Sequence, residues 1–361
     1  NALRVIMENL AFKNGQFTVM QVSDAQDMHV VRKAMVTMLE RAYNKVKPDL
    51  VLFTGDNILG NHLRDARFGS KQVIFDKAGE LARMKVSLKN ILQPVSDLKI
   101  PFAFLYGNHD DRNLITKEEQ ADIYMSYPYC VPFNRRDKSV DCDTYYIPIF
   151  GENGAEKLGI FMLDCAWYDK EENLCYEMIT PKTVRWFCEE SERQRERNGG
   201  SSIPSFLFTH IPLPVTESLF VKCEKDDPDA VRSRRRGGYF KLDKAKAQGF
   251  AFGYPSVLSS DSGLFEEIKA QGNIKAVVFG HDHKNRFTAS LDGIDIIQTP
   301  GASFRCFGND LRGVRVFVFK EDDINSYETY TLTYFDLIKP TITSRLRYIW
   351  DADDKLGKIR L

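Results

Sequence analysis

The chain has 361 residues, with 50 Lys plus Arg balanced by 50 Asp plus Glu, so its formal net charge at pH 7 is zero. That balance supplies no global attraction to nucleic acid or to an anionic membrane. Hydrophobic residues make up 43% of the chain, enough for a sizeable core, yet no apolar run approaches the roughly 18 residues of a bilayer span.

The length exceeds one typical domain and suits an α/β enzyme with a single large core and appendages. Taken in order, the first element is an apolar run from Thr18 to Ser23, followed by a helix over Val31 to Val46 that places Met35, Met38, Leu39 and Tyr43 on one face. A second strand, Leu50 to Thr54, is followed by helical spacing over Ile74 to Leu98 and a third strand, Phe102 to Tyr106. Thr180 and Pro181 supply an N-cap and a first-turn proline for a helix running to Arg197, which Asn198-Gly199-Gly200 stops. Apolar runs recur at Phe206 to Thr209 and Ile274 to Phe279. Lys222 to Tyr254 reads as a long polar loop with clustered Arg232, Arg234, Arg235 and Arg236. Short strands at Arg286 to Leu291, Ile294 to Thr299 and Val314 to Phe319, the first two joined by an Asp292-Gly293 turn, predict a second sheet packed on the first. The alternation of strands and helices argues for α/β layers.

Seven cysteines (Cys130, Cys142, Cys165, Cys175, Cys188, Cys223, Cys306) form neither a Cys-x-x-Cys pair nor a dense framework, so reduced thiols are expected. A cytoplasmic location is the matching expectation, with a removed leader before Asn1-Ala2 as its alternative.

Each strand-like run ends in residues that bind metals. Asp24 follows the first run, Gly55-Asp56-Asn57 the second and Gly107-Asn108-His109-Asp110 the third, while His210 follows Thr209 and Gly280-His281-Asp282-His283 follows Phe279. Imidazole is the commonest protein ligand for metals near neutral pH, and here several of only six histidines gather at strand ends. In an open α/β sheet, ligands collect beyond the carboxyl ends of strands, so these five ends predict one polynuclear metal centre.

In this order the motifs resemble those of the calcineurin-like metallophosphoesterases, whose series runs Asp-x-His, Gly-Asp, Gly-Asn-His-Asp/Glu, a lone His and Gly-His-x-His. Four of the five elements are intact, and together they span Asp24 to His283. The stretches Asp49 to Asn57 and Ile274 to His283 look like the purple-acid-phosphatase-like branch. Leu59, however, stands near the place of the Tyr of true purple acid phosphatases, so no purple Fe(III) colour is expected. The resemblance implies an α/β fold, a four-layer αββα sandwich with two central mixed β-sheets, over residues 1–320. Residues 321–361 would form a C-terminal extension packed on the same domain.

The same resemblance implies two divalent metal ions, drawn from Mn, Fe, Zn, Mg or Ni. Asp24, Gln26 and His283 would serve the first, Asn108, His210 and His281 the second, and Asp56 would bridge them. His109 would act as general acid with Asp110 orienting its ring. The implied reaction is hydrolysis of a small phosphorylated substrate, monoester preferred, by in-line attack of a metal-bridging hydroxide. Neither a membrane nor a nucleic-acid partner is expected, and the oligomeric state stays open. A phosphodiesterase on nucleotides or nucleic acid, and a degenerate non-catalytic metal-binding scaffold, are the alternatives.

One element departs from the series: two residues after Asp24 stands Gln26 rather than His. A literal Asp27-Met28-His29 lies three residues on, but Asp27 is beyond the strand end and reads as a decoy. His62 reads as a surface loop residue, and the Arg232 to Arg236 cluster as a solvated loop rather than a phosphate clamp. Arg305 is a weaker clamp candidate.

Overall fold

The computed structural model describes residues 10–64, 76–132, 140–165 and 178–352. Its amino-terminal half contains β1 (Gln16–Val22), α1 (Lys33–Val46), β2 (Leu50–Thr54), α2 (Lys77–Asp97), β3 (Phe102–Leu105), α3 (Lys117–Met125), β4 (Tyr145–Phe150), β5 (Glu156–Met162) and α4 (Pro181–Arg197). There follow β6 (Ser205–Phe208), β7 (Phe220–Cys223), β8 (Val231–Arg232), β9 (Tyr239–Leu242), β10 (Ala247–Phe250), α5 (Leu264–Gln271) and β11 (Ile274–Phe279). The chain continues through β12 (Arg286–Leu291), β13 (Ile294–Gln298), β14 (Gly313–Lys320), β15 (Asp323–Thr333), α6 (Tyr334–Leu337) and α7 (Ile342–Asp351).

Two mixed sheets form the centre, a five-stranded one in the order β15-β14-β1-β2-β3 and a seven-stranded one in the order β10-β12-β13-β11-β6-β5-β4. Side chains alternate across a strand, and β2 shows what this does. Leu50 and Leu52 enter the core between the sheets, where Phe206, Phe208, Val278 and Phe317 also pack. Val51 and Phe53 point the other way, into a second core with Met35 and Leu39 of α1 and Leu88 of α2. A third core lies outside the larger sheet, where Phe161, Leu207 and Val277 meet Phe187 of α4 and Ile268 of α5. Three cores separate four layers, so the expected αββα sandwich is present.

The helix ends agree with the sequence signals. The Thr180 hydroxyl accepts the N–H of Thr183, with Pro181 at the first turn and α4 ending at Arg197. The buried face of α1 includes the predicted Met35, Met38, Leu39 and Tyr43.

Two expectations are corrected. The late strands do not make a sheet of their own. β12 and β13 extend the sheet of β6 and β11, turning at Asp292 (φ 52°) and Gly293 (φ 80°), whereas β14 crosses to pair antiparallel with β1. A period-2 pattern identifies strands but does not say which edge they join. Nor is Lys222 to Tyr254 an open loop, because β7, β9 and β8 form a small sheet whose Phe220, Val231, Phe240 and Leu242 cover the third core.

The segment set apart as an extension supplies β15, paired along β14, and then Tyr334 and Tyr348 of the helix-side core. The start of the predicted second helix at Ile74 lies outside the described residues, as does Cys175. The other six cysteines are free thiols. No helix among the described residues is long and apolar enough to cross a membrane.

For the site, the decisive feature is strand direction. β1, β2 and β3 run parallel in one sheet, and β5, β6 and β11 run parallel in the other. Their carboxyl ends therefore emerge along two facing edges. Ala302, just beyond β13, donates its N–H to the Ser23 carbonyl at 2.9 Å, tying those edges together.

Candidate metal centre

The loops after β1, β2, β3, β6 and β11 bring all the strand-end residues to one place. One ligand atom each from Asp56, His210 and His281 lie within 4.8 Å of one another, and so do those from Asp24, Asp56 and His283. Asp56 belongs to both groups. The chain makes these turns against its own preference: Asp24 (φ 52°), Gln26 (φ 34°), Asp56 (φ 47°) and His281 (φ 67°) all sit in the left-handed region that L residues avoid. Gly55 is required between them, because at φ 90° a Cβ would stand 2.5 Å from His210 Nδ1. At Gly107 a Cβ would stand 2.2 Å from Asp56 N and Oδ1. The glycines of the Gly-Asp and Gly-Asn-His-Asp motifs are thus cleared space for the neighbouring motif.

Each side chain is held by one atom and left open at another. Asp24 Oδ2 accepts from Ser23 Oγ at 2.6 Å and from the His281 N–H at 3.0 Å. Its Oδ1 has no hydrogen-bond partner and faces His283 Nε2 at 3.3 Å. Asp56 Oδ1 accepts the His109 N–H at 2.7 Å, and Oδ2 lies 3.4 Å from His210 Nε2. His210 Nδ1 is 2.9 Å from the Thr54 carbonyl and His283 Nδ1 is 2.9 Å from that of Phe307, contacts that in the neutral rings put the proton on Nδ1 and the lone pair on Nε2. Asn108 Oδ1, Gln26 Oε1 and His210 Nε2 are buried without a hydrogen-bond partner. Buried polar atoms are normally paired. Buried oxygen and nitrogen acceptors left open on these loops are the donor chemistry of a divalent cation site, so these residues fit metal ions.

The electrostatics point the same way. Burial alone would raise both carboxyl pKa values, yet His283 and His210 hold Asp24 below its usual range, and His210 and His109 do the same for Asp56. Burial disfavours the imidazolium of His210, but Asp56 and Asp24 outweigh it and push that ring up to about 9. His283 is likewise raised against its burial, chiefly by Asp24. Burial and the neighbouring His210 take His281 down to about 3. The protons held on His210 and His283 mark where positive charge is wanted, and cation binding at such nitrogens releases them.

Gln26, not His29, enters this cluster. Its Nε2 lies 3.4 Å from Asp56 Oδ2 and its N–H donates to the Asp56 carbonyl at 2.8 Å. Asp27 is spent elsewhere, pairing with Arg305 Nε at 2.5 Å and accepting the N–H groups of Met28 and Arg32. Arg305 is thereby a structural clamp, also donating to the Val30 carbonyl. In the arginine cluster, Arg235 donates to the carbonyls of Leu258 and Ser259, and Arg236 lies over the Phe240 ring. His62 is exposed in the short 3-10 helix Gly60–Arg64.

Asp110 is corrected. Its carboxylate does not orient His109; it accepts the N–H groups of Gly107, Asn57 and Ile58 at 2.7–3.1 Å, stapling the β2 and β3 loops together. His109 keeps its place through its own N–H to Asp56, and its Nδ1 is buried without a hydrogen-bond partner. Burial lowers the His109 pKa more than Asp56 raises it. The supports that sequence reading missed are backbone atoms, the carbonyls of Thr54 and Phe307, which carry no side-chain signal. Ser23, directly before Asp24, was the one visible clue.

A four-layer sandwich with two buried acid and histidine groups sharing one carboxylate defines a dimetal type of site. The family model for calcineurin-like phosphoesterases matches residues 17–285, and the chain belongs to that family. Its relatives are purple-acid-phosphatase-like. Probable inactive purple acid phosphatase 29 of Arabidopsis thaliana is 25% identical over 331 residues, which cover 82% of this chain and 74% of that protein. Phosphatase DCR2 of Saccharomyces cerevisiae is 23% identical over 280 residues, covering 75% of this chain and 41% of that protein. Among solved structures, a dimetal phosphatase from Danio rerio shares the fold, with a TM-score of 0.50 at 11% identity, covering 88% of this chain and 99% of that one.

The staple gives a first prediction. Asp110→Ala leaves buried N–H donors unpaired at roughly 1–3 kcal/mol each, so its urea midpoint should fall well below that of the parent. An unchanged midpoint would mean that the three N–H contacts do not hold the loops.

Proposed function

We propose that this chain is a dinuclear-metal-dependent phosphoesterase that prefers monoesters. The observation that carries the reading is the pair of buried triads sharing Asp56, together with buried acceptors of Asp24, Gln26, Asn108 and His210 that have no hydrogen-bond partner. Asp24, Gln26, Asp56 and His283 would hold one ion and Asp56, Asn108, His210 and His281 the other. Two such ions, when bound, polarise the phosphoryl group, lower the pKa of an attacking water and neutralise charge on the leaving oxygen.

The chain's own residues do the rest. The hydrogen-bonded Nδ1 atoms of His210 and His283 fix their rings, so the phosphate meets a site already built. His109 is anchored beside Asp56 by its backbone N–H, and burial disfavours its imidazolium. A bound phosphate dianion would raise its proton affinity, favouring the protonated ring that donates to the leaving oxygen. Membership among the phosphoesterases supports hydrolysis, and relatives named as phosphatases support a monoester.

The second reading is a metal-binding scaffold without turnover, favoured by Gln26 in place of an imidazole and by the word "inactive" in the name of the plant relative. Assaying an aryl phosphate monoester and its diester with Mn²⁺, Fe²⁺, Zn²⁺, Mg²⁺ and Ni²⁺, alongside metal analysis, separates the readings. Two bound ions without turnover of either ester would establish the scaffold.

Four variants test the assignments. Asp56→Asn should abolish turnover and lower the content of both ions; full retention of two ions would remove Asp56 as the bridge. His109→Ala should keep its metal while turnover of a poor leaving group drops about 10²–10⁴-fold, with a smaller loss for an activated aryl phosphate. Equal losses on both esters would refute the acid role. Gln26→Ala should weaken the ion at its site, whereas His29→Ala should not; the reverse outcome would move the first motif to Asp27-Met28-His29.

A further inference from the structure

Phe307 presents an aromatic ring to solvent at the rim of the metal centre. It is 59% exposed, and one face stacks on the His283 imidazole with ring centroids 4.5 Å apart and planes 15° from parallel. Isolated exposed apolar residues are common and need no explanation. What sets Phe307 apart is how firmly a ring with so little burial is held. Its carbonyl takes the His283 Nδ1 contact, Cys306 before it donates its N–H to Ser303 Oγ at 3.1 Å, and Asn309 after it reaches the Lys284 carbonyl at 3.3 Å. Buried Arg312 completes the frame, donating to the carbonyls of Ser303, Cys306 and Asn309. The hydrogen bond to His283 uses only the Phe307 backbone, and the ring, beyond its stack on His283, stays largely exposed.

We propose that Phe307 is the stacking platform for the alcohol portion of the substrate, and that this portion is a planar aromatic group, aryl or nucleobase, attached to the phosphate ester. This rests on the phosphoesterase reading above and specifies its substrate class. A phosphate held near Asp24 and His283 would lie close to Phe307, which stacks on His283, so a planar group beyond the ester oxygen would come within reach of its exposed ring. Offset stacking of two rings is favourable at centroid separations of about 4.5–7 Å. Lys284, whose ammonium lies 5.9 Å from the Phe307 centroid, adds positive charge at the same rim for the phosphate of an incoming ester.

Phosphonates test this without turnover. Isothermal titration of the metal-loaded protein with phenylphosphonate and with methylphosphonate, which share the head group, should show the phenyl compound binding roughly 5- to 100-fold more tightly, the range of one aromatic stack. Phe307→Ala should close that gap by weakening phenylphosphonate, and Phe307→Trp should keep it open. Competition by adenosine 5′-monophosphate against ribose 5-phosphate then distinguishes the sources. A matching Phe307-dependent gap identifies a nucleobase; a gap confined to the phosphonate pair identifies a small aryl group. A parent protein without the gap, or a gap that survives Phe307→Ala, overturns the platform and leaves the phosphoesterase reading standing. If neither phosphonate binds protein holding two ions, both fall together.

Discussion

Everything near the site answers to one constraint, the burial of two carboxylates side by side. Asp24 and Asp56 are 0% and 1% exposed, and the charge of Asp56 raises the pKa of Asp24. An unpaired buried carboxylate is so costly that it normally takes up a proton instead. Here both stay below the usual range because imidazoles face them, from the opposite sheet and, for Asp56, also from His109 beyond β3. The acids come from the ends of β1 and β2, the histidines from the ends of β6 and β11. The sandwich is thus held at this edge by opposite charge, and only cations or protons keep the pairing favourable.

Local structure follows from that demand. Four of the eight described non-glycine residues with positive φ are Asp24, Gln26, Asp56 and His281. Backbone strain of order 1–3 kcal/mol each persists only where the surroundings overdetermine it. The surroundings do so here through the Gly107 and Asn57 N–H groups on Asp110, the His281 N–H on Asp24 and the His109 N–H on Asp56. Behind the site a buried polar seam joins the two sheets: Gln21 bonds Thr54 in its own sheet, Thr299 reaches Gln21 from the other, and Arg315 bonds Thr299. The charged edge and this seam fix the registration that the apolar core alone, being non-directional, would leave loose.

Much of this was legible because the side chains that carry chemistry sit directly after strands, where an apolar run announces their position. The Gly-Asp, Gly-Asn-His-Asp and Gly-His-Asp-His motifs are short, but each glycine answers to a contact with another motif, so their order along the chain encodes a three-dimensional packing. What the sequence could not reveal falls into two kinds. Pairing partners of late strands depend on long-range register, and so β14 could not be assigned to β1 from its own residues. Contacts to the carbonyls of Thr54 and Phe307 carry no side-chain signature. Asp110 was misread for a related reason: adjacency to His109 suggested a contact that the turn geometry directs instead onto the backbone of the β2 loop.

Gln26 bears on how far this chain departs from an ordinary dimetal phosphoesterase. An amide oxygen is a neutral, harder donor than imidazole, suited to Mg²⁺ or Mn²⁺ more than to Zn²⁺. The group formed by Asp56, His210 and His281 carries two imidazoles of its own. Gln26 Nε2 also lies against Asp56, so the residue that weakens one donor set helps to position the carboxylate common to both. With the proposed ligand sets, a substitution of that kind would grade the two sites in affinity and leave the shared frame in place. On this argument, loss of the first-motif imidazole separates a tight position from an exchangeable one, and that difference in occupancy, more than any defect in the fold, would govern whether the centre turns over.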